Sequence, residues 1–356
     1  MRTPATPRTP RLALLLPALL PALLSAILST ALPRPVRADD SVAALAAGGL
    51  VLEKTDRIAL VSEDLFLSEK AVRIAYRFHN LTDRDVETTI AFPMPDIAGG
   101  PDAMLNIADP KHDNFLRFTT EVDGRPVDSQ VEQRAFVTPA GKPEVEVTGR
   151  LRSLGIPLVP TVEATEAALA ALSEDQRRRL VADGLLEAQE MGNGTTSLFP
   201  VWTLRSKFWR RQIFPAGRDV VVRQSYVPGL GGLSSLSFGT ATEGADERAE
   251  YARKYCTDAA FLKAAQALAR RVEAAGGRGI QAFEQYLSYV ITSGGNWAGP
   301  IGTFKLTVDK GDPATLVSFC GTGVRKTGPT TFESVATDYV PRRDIDVLLL
   351  KTTAGR

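Results

Sequence analysis

Between Ala71 and His79 apolar and polar side chains alternate residue by residue. Val72, Ile74, Tyr76 and Phe78 fall on one side, Arg73, Arg77 and His79 on the other. A period of two places the apolar set on one face of a β-strand, so this segment is expected half-buried in an antiparallel sheet. The pattern returns along the chain. Asn80 to Asp85 is turn material, and Val86, Thr88, Ile90 and Phe92 share the inner face of a second strand. Pro93 and Pro95 stop it, because proline donates nothing to a ladder. Phe115 to Val122 runs into Asp123-Gly124, a hairpin signal, and Val127 to Val137 returns. Val201–Ile213 and Arg218–Val227 flank a Pro215-Ala216-Gly217 turn. From Phe283 onward Thr303–Val308, Leu316–Cys320, Thr331–Thr337 and Ile345–Leu350 read as further strands. Short strands between Gly and Pro turns predict a mainly β chain of two antiparallel β-sandwich-like domains.

Two stretches break the pattern. Residues 151–192 are rich in Ala, Leu, Glu and Arg, which favours helix. Ser173 followed by Gln176 forms a capping box, and Gly184 marks a stop. Too few apolar residues lie here for a separate core, so a helical insertion is expected. Residues 247–275 are the second helical stretch. Thr257 or Asp258 can cap its second helix, whose apolar stripe holds Phe261, Leu262, Ala265, Leu268 and Val272. Residues 41–47 are expected as a short helical lead-in or a tail. The domain organisation expected is a leader at 1–38, a sandwich with its insertion at 39–240, and a helical connector plus second sandwich at 241–356.

The leader carries Arg2, Arg8 and Arg11, then an apolar run from Leu12 to Leu32, then Val36-Arg37-Ala38. A basic start, an apolar middle and an A-x-A-like end describe a secretory signal, with cleavage expected between Ala38 and Asp39. The rival reading is a retained membrane anchor. Pro17 and Pro21 interrupt the run and Pro33 and Pro35 close it, which favours cleavage, and no stable span is expected afterwards. The expected location is periplasmic or secreted. Loss of five arginines and no acid takes the formal net charge from +1 to −4. A mildly acidic mature chain argues against nucleic acid or an anionic membrane surface as partner. Cys256 and Cys320 are the only two cysteines. In an oxidising compartment such a pair is expected to form a disulfide; the rival is a catalytic or metal-binding thiol, with no His near either in sequence.

Few residues offer reaction chemistry. His79 lies on the polar face of its strand, and His112 lies in Asp109-Pro110-Lys111-His112-Asp113, which could hold a divalent cation but is also ordinary loop sequence. Neither H-E-x-x-H nor C-x-x-C occurs, so no metal residue is assigned. Gly232-Leu233-Ser234-Ser235-Leu236 is not a nucleophile elbow, and Gly321-Thr322-Gly323 lacks the spacing and Lys of a phosphate loop. No catalytic residue and no cofactor are expected. Glu63 with Asp64, or Asp338 with Asp344, are conceivable carboxylate pairs for glycan or peptide hydrolysis. Asn296 and Trp297, set among glycines, form the candidate ligand loop: an exposed Trp there would stack on a sugar or peptide, a buried one would only pack. Arg205–Arg211, with Phe208 and Trp209 interleaved, reads as a strand with a solvated basic face.

Two resemblances add to this. VRIAYRFHNLTDRDVETTIAFPMPD followed by EVDGRPVDSQVEQR resembles the vault/inter-α-trypsin-inhibitor (VIT) domain, as does the later IFPAGRDVVVRQSYVPGL. The likeness spans about residues 60–230 and implies a β-sandwich used for contact. At full mature length the chain is similar to the bacterial domain-of-unknown-function 4424 family. The stretches that carry this are DDSVAALAAGGLVLEKTDRIALVSEDLFLS, GGNWAGPIGTFKLTVDKGDPATLVSFC and DYVPRRDIDVLLL. That family implies an exported bacterial protein and transfers no activity. The expected function is a non-catalytic interaction module of the cell envelope with a protein or glycan partner. The alternative is an envelope hydrolase using paired carboxylates.

Overall fold

A computed structural model describes residues 41–46, 49–139, 141–192, 194–276 and 279–354. The leader, with Ala38 and Asp39, lies outside these. The fold is mainly β, with 43% strand and 19% helix. The chain opens with β1 (Ser41–Ala46), β2 (Gly49–Glu53), β3 (Ile58–Ser68), β4 (Val72–Asn80), β5 (Val86–Pro93) and β6 (Ile97–Ala98). Then come β7 (Thr119–Val122), β8 (Arg125–Val127), β9 (Gln130–Val137), β10 (Val145–Glu146), α1 (Thr148–Ser153), α2 (Val162–Ala171) and α3 (Glu174–Ala182). β11 (Leu186–Glu190) and β12 (Thr196–Pro200) form a hairpin before the long β13 (Thr203–Phe214) and β14 (Asp219–Tyr226). β15 (Gly231–Leu233), α4 (Ala245–Tyr255) and α5 (Ala259–Ala274) lead to β16 (Ile280–Tyr289), β17 (Ile301–Asp309), β18 (Leu316–Phe319), β19 (Arg325–Lys326), β20 (Thr331–Tyr339) and β21 (Ile345–Ala354).

One eight-stranded sheet, ordered β19-β20-β17-β3-β4-β14-β7-β8, is the largest layer. A seven-stranded sheet (β10-β9-β13-β5-β1-β2, with β6 on β13) and a four-stranded sheet (β15-β16-β21-β18) pack against its inner face. Phe78 meets Phe214 at 5.7 Å and Phe118 stacks on Phe208 at 4.4 Å, joining it to the seven-stranded sheet. The Tyr76 and Tyr289 hydroxyls, 2.9 Å apart, join it to the four-stranded sheet. Strands from both sides of residue 240 therefore share one sheet. The seam is β17 against β3, the one parallel pairing among the described strands.

β3 carries a bulge that changes which side chains face inward. Its register against β4 shifts between Leu60 and Ser62, leaving Val61 as the extra residue. Before the bulge Ile58 and Leu60 are buried; after it Glu63, Leu65 and Leu67 are. The even-numbered face has become the odd-numbered one. Gly302 makes this possible, because a Cβ there would sit 2.6 Å from the Val61 carbonyl oxygen.

β21 shows why Val347–Leu350 is a continuous apolar run. Val347 and Leu349 join the main core, while Leu348 and Leu350 join a second cluster with Phe238, Tyr251, Tyr255, Ala265 and Leu268 under α4 and α5. The four-stranded sheet is thus covered on both faces. Glu284 lies at 0% exposure in that second cluster. Its carboxylate accepts the Ser237 and Phe238 amides and the Tyr251 and Tyr286 hydroxyls, each at 2.7 Å. Four donors satisfy a charge that burial would otherwise make costly.

Helix ends follow their sequence signals. Ser173 and Gln176 complete a reciprocal capping box, and Asp258 caps α5 through the Phe261 amide. α4 ends on Cys256, held at φ 55°. Arg343 donates to the carbonyls of Arg253 at 2.8 Å and Lys254 at 2.6 Å, and Cys256 is disulfide-bonded to Cys320. With a sequence separation of 64, loop entropy makes the bond worth about 4 kcal/mol. The 151–192 stretch has no core of its own: Leu151, Ile156, Leu180 and Leu185 enter the main one. Residues 41–46 depart from expectation. They form a strand between β2 and β5, where ladder pairing outweighs the helix propensity of Ala and Leu.

Two measurements follow. Gly302→Ala should lower stability by about 1–3 kcal/mol in urea unfolding, because its Cβ meets backbone that cannot rotate away. Gly295→Ala, with nothing within 4 Å, should be near neutral. Equal stability of the two variants would contradict the bulge. Separately, burial pushes the phenols of Tyr226, Tyr251, Tyr255, Tyr286 and Tyr339 above their usual value, reinforced for Tyr286 by its bond to Glu284. A raised folded pKa contributes stability that is complete below about pH 10, the unfolded value, and is lost as pH rises through the folded one. Tyrosinate absorbance should therefore grow together with loss of the far-ultraviolet β signal. Ionisation near pH 10 of a fully folded protein would contradict this.

Candidate functional site

The residues singled out from sequence scatter across the fold. Trp297 is 4% exposed, with its ring 4.6 Å from Phe78 and 6.3 Å from Phe214. The Asn296 carbonyl accepts the Thr55 amide at 2.8 Å, and the Ala298 amide donates to Ile58 at 2.9 Å. These bonds stitch the loop to the start of β3 and turn the indole inward. A ring so placed has no face for stacking on a ligand, so Trp297 packs the core and the candidate ligand loop is corrected to a structural one.

The carboxylate pairs do not converge as drawn. Glu63 and Asp64 occupy opposite faces of β3. Glu63, 1% exposed, accepts the Tyr289 hydroxyl at 3.1 Å inside the core, while Asp64 is exposed on the outer face. Asp344 accepts the Thr292 amide at 3.2 Å and hydroxyl at 2.6 Å, whereas Asp338 is exposed at φ 50° on β20. His79 bonds Asp219 at 2.7 Å, and His112 pairs with Asp109 in an exposed loop. Among the described residues no cluster of three or more His, Cys, Asp or Glu side chains is arranged for a metal ion. On β13 three of the four basic residues have these acidic partners: Arg205 bonds Asp96 and Glu144, Lys207 lies 3.5 Å from Glu132, and Arg211 lies 3.4 Å from Glu87, while Arg210 is buried on the other face.

A different surface brings functional groups together. A depression of about 370 Å³ opens on the outer face of the eight-stranded sheet, lined by Asp64, Phe66, Arg73, Ala75, Glu121 and Arg223 among others. Strand register builds it. One row across four strands reads Asp64, Ala75, Arg223, Glu121, and the next reads Phe66, Arg73, Ser225, Thr119. Ala75 is the small residue that leaves the floor low. The Arg73 guanidinium carbon lies 3.8 Å from the centroid of the Phe66 ring, a cation–π contact. Thr119 and Ser225 hydroxyls bond each other at 2.9 Å at one side.

Two charge groups beside the depression are paired, and one of them, Lys305, is the β17 neighbour of Asp64. Lys305 lies 3.3 Å from Glu333, and Asp219 takes both His79 and, at 4.0 Å, Arg77. Inside it the four charges remain open: no ion pair within 4.0 Å involves Asp64, Glu121, Arg73 or Arg223 among the described residues. The alternation in β4 foretold that Arg73 faces outward. That β3, β14 and β7 would complete the row is long-range pairing that no local pattern carries.

Comparison with known proteins gives a family and little more. Among solved structures, the chain is similar to a Legionella pneumophila protein provisionally described as nutrient-binding, at 12% identity and a TM-score of 0.39, covering 87% of this chain and 72% of that one. It is also similar to an M1 zinc metallopeptidase from Deinococcus radiodurans, at 10% identity and a TM-score of 0.22, covering 83% of this chain and 43% of that one. The chain thus spans less than half the length of the metallopeptidase. No curated protein matches it significantly. The family model described as domain of unknown function DUF4424 matches residues 38–348. That match covers most of the sequence, and the chain belongs to the DUF4424 family.

Proposed function

We propose that this protein is an exported, non-catalytic binding module of the bacterial cell envelope, and that the outer-face depression around Ala75 is its contact surface. The observation that carries this reading is the set of four charges, Asp64, Arg73, Glu121 and Arg223, that line one concave site without an ion pair among the described residues. Polar groups placed at a concave site on a rigid sheet suit recognition. The partner is an envelope protein or glycan.

Export rests on the basic and apolar leader with its Ala38–Asp39 junction, and gains support from the Cys256–Cys320 bond, which belongs to an oxidising compartment. A VIT-like character for residues 60–230 fits a contact role. Asp123 and Gly124 both take positive φ, 49° and 78°, in the hairpin that resemblance turns on.

A photo-crosslinking amino acid at Thr119 tests the reading in a bacterial host making the full chain. Adducts are expected in the periplasmic fraction, on a mature chain beginning at Asp39, and should disappear on Arg223→Glu. Adducts indifferent to Arg223→Glu, no adducts, or a chain that stays cytoplasmic with its leader would overturn it.

A further inference from the structure

The pattern of the open charges specifies a ligand class; this inference rests on the contact surface proposed above. Across the sheet the order is acid, two guanidiniums, acid: Asp64 on β3, Arg73 on β4 and Arg223 on β14, then Glu121 on β7. Arg73 pairs with Ser225 and Arg223 with Ala75, so the two arginines are diagonal neighbours, about 7–8 Å apart at the backbone. Three strand spacings of about 4.8 Å separate Asp64 from Glu121, roughly 14 Å. At about 3.5 Å per residue, that is the reach of an extended peptide of roughly four residues.

Complementarity dictates the occupant. Two guanidiniums without carboxylate ion pairs, one in cation–π contact with the Phe66 ring, suit a carboxylate taken through forked hydrogen bonds. A free dianion such as phosphate would meet Asp64 and Glu121 on either side and be repelled. The acids instead suit ammonium groups that flank the carboxylate. We infer that the depression binds a short zwitterionic peptide in which a carboxylate is flanked by amino groups. Thr119 and Ser225 supply hydroxyls at the edge for its backbone.

The Ala75 methyl lies on the floor and reports occupancy by nuclear magnetic resonance of alanine-labelled full-length protein. The probe is end-blocked lysyl-glutamyl-lysine; the controls are end-blocked glutamyl-lysyl-glutamate, which reverses the pattern, and inorganic phosphate. The lysyl-glutamyl-lysine peptide should shift the Ala75 signal and bind at least about tenfold more tightly than either control. Arg223→Gln should weaken it by about tenfold or more, and Asp64→Asn with Glu121→Gln should remove the preference between the peptides, with other methyl signals unchanged. Equal binding of the two peptides, preference for phosphate, or a still Ala75 signal overturns the inference. If crosslinks at Thr119 still depend on Arg223 while the peptide fails, the ligand class falls and the contact surface stands. If neither appears, both fall.

Discussion

The bulge at Val61 is the constraint on which the rest of the structure depends. One extra residue in β3 exchanges the two faces of the strand. Upstream, Ile58 and Leu60 pack the core; downstream, Leu65 and Leu67 do so, and Glu63 comes with them. The same exchange sends Asp64 and Phe66 outward, where they wall one side of the depression. Gly302 supplies the space for the bulged backbone, and β17 runs parallel to β3 from that point. A core strand, a buried acid and the outer site therefore share one local cause.

Burying Glu63 brings a cost that a tyrosine hydroxyl helps to offset. Its bond from Tyr289 reaches from the four-stranded sheet to the eight-stranded one, and Tyr76 extends it. Glu284 solves the same problem on the other face of the four-stranded sheet with two amides and two tyrosine hydroxyls. Removing the Glu284 carboxylate would leave four neutral donors without an acceptor. The disulfide and Arg343 then fasten the end of α4 beside β18. The Tyr289 bonds to Glu63 and Tyr76 bind the chain beyond residue 240 to the eight-stranded sheet's earlier strands, while the disulfide and Arg343 tie that later part to itself.

Local signals carried much of this fold in the sequence. Alternation gave β4 and β5 nearly to the residue, the Asp123-Gly124 hairpin formed, and the caps at Ser173 and Asp258 are where residue chemistry places them. What stayed hidden depends on distant partners. A bulge has no periodic signature, so Glu63 and Asp64 looked like neighbours able to work together. The parallel β3–β17 pairing joins segments more than 200 residues apart, and without it nothing shows that the second half completes the first sheet. Whether Trp297 among its glycines is exposed or packed stayed open in the sequence; the packing of Phe78 and Phe214 shows its burial. The candidate site was half legible: Arg73 and Arg77 were placed outward, but the partners that make a depression come from three other strands.

Function, on this account, resides in the outer face of a sheet whose inner face is fully committed to packing. The most direct test is a crystal structure of the protein with its envelope ligand bound. Ligand density is expected over Ala75, with a carboxylate between the Arg73 and Arg223 guanidiniums. Ligand density elsewhere, with Arg73 and Arg223 untouched, would contradict it.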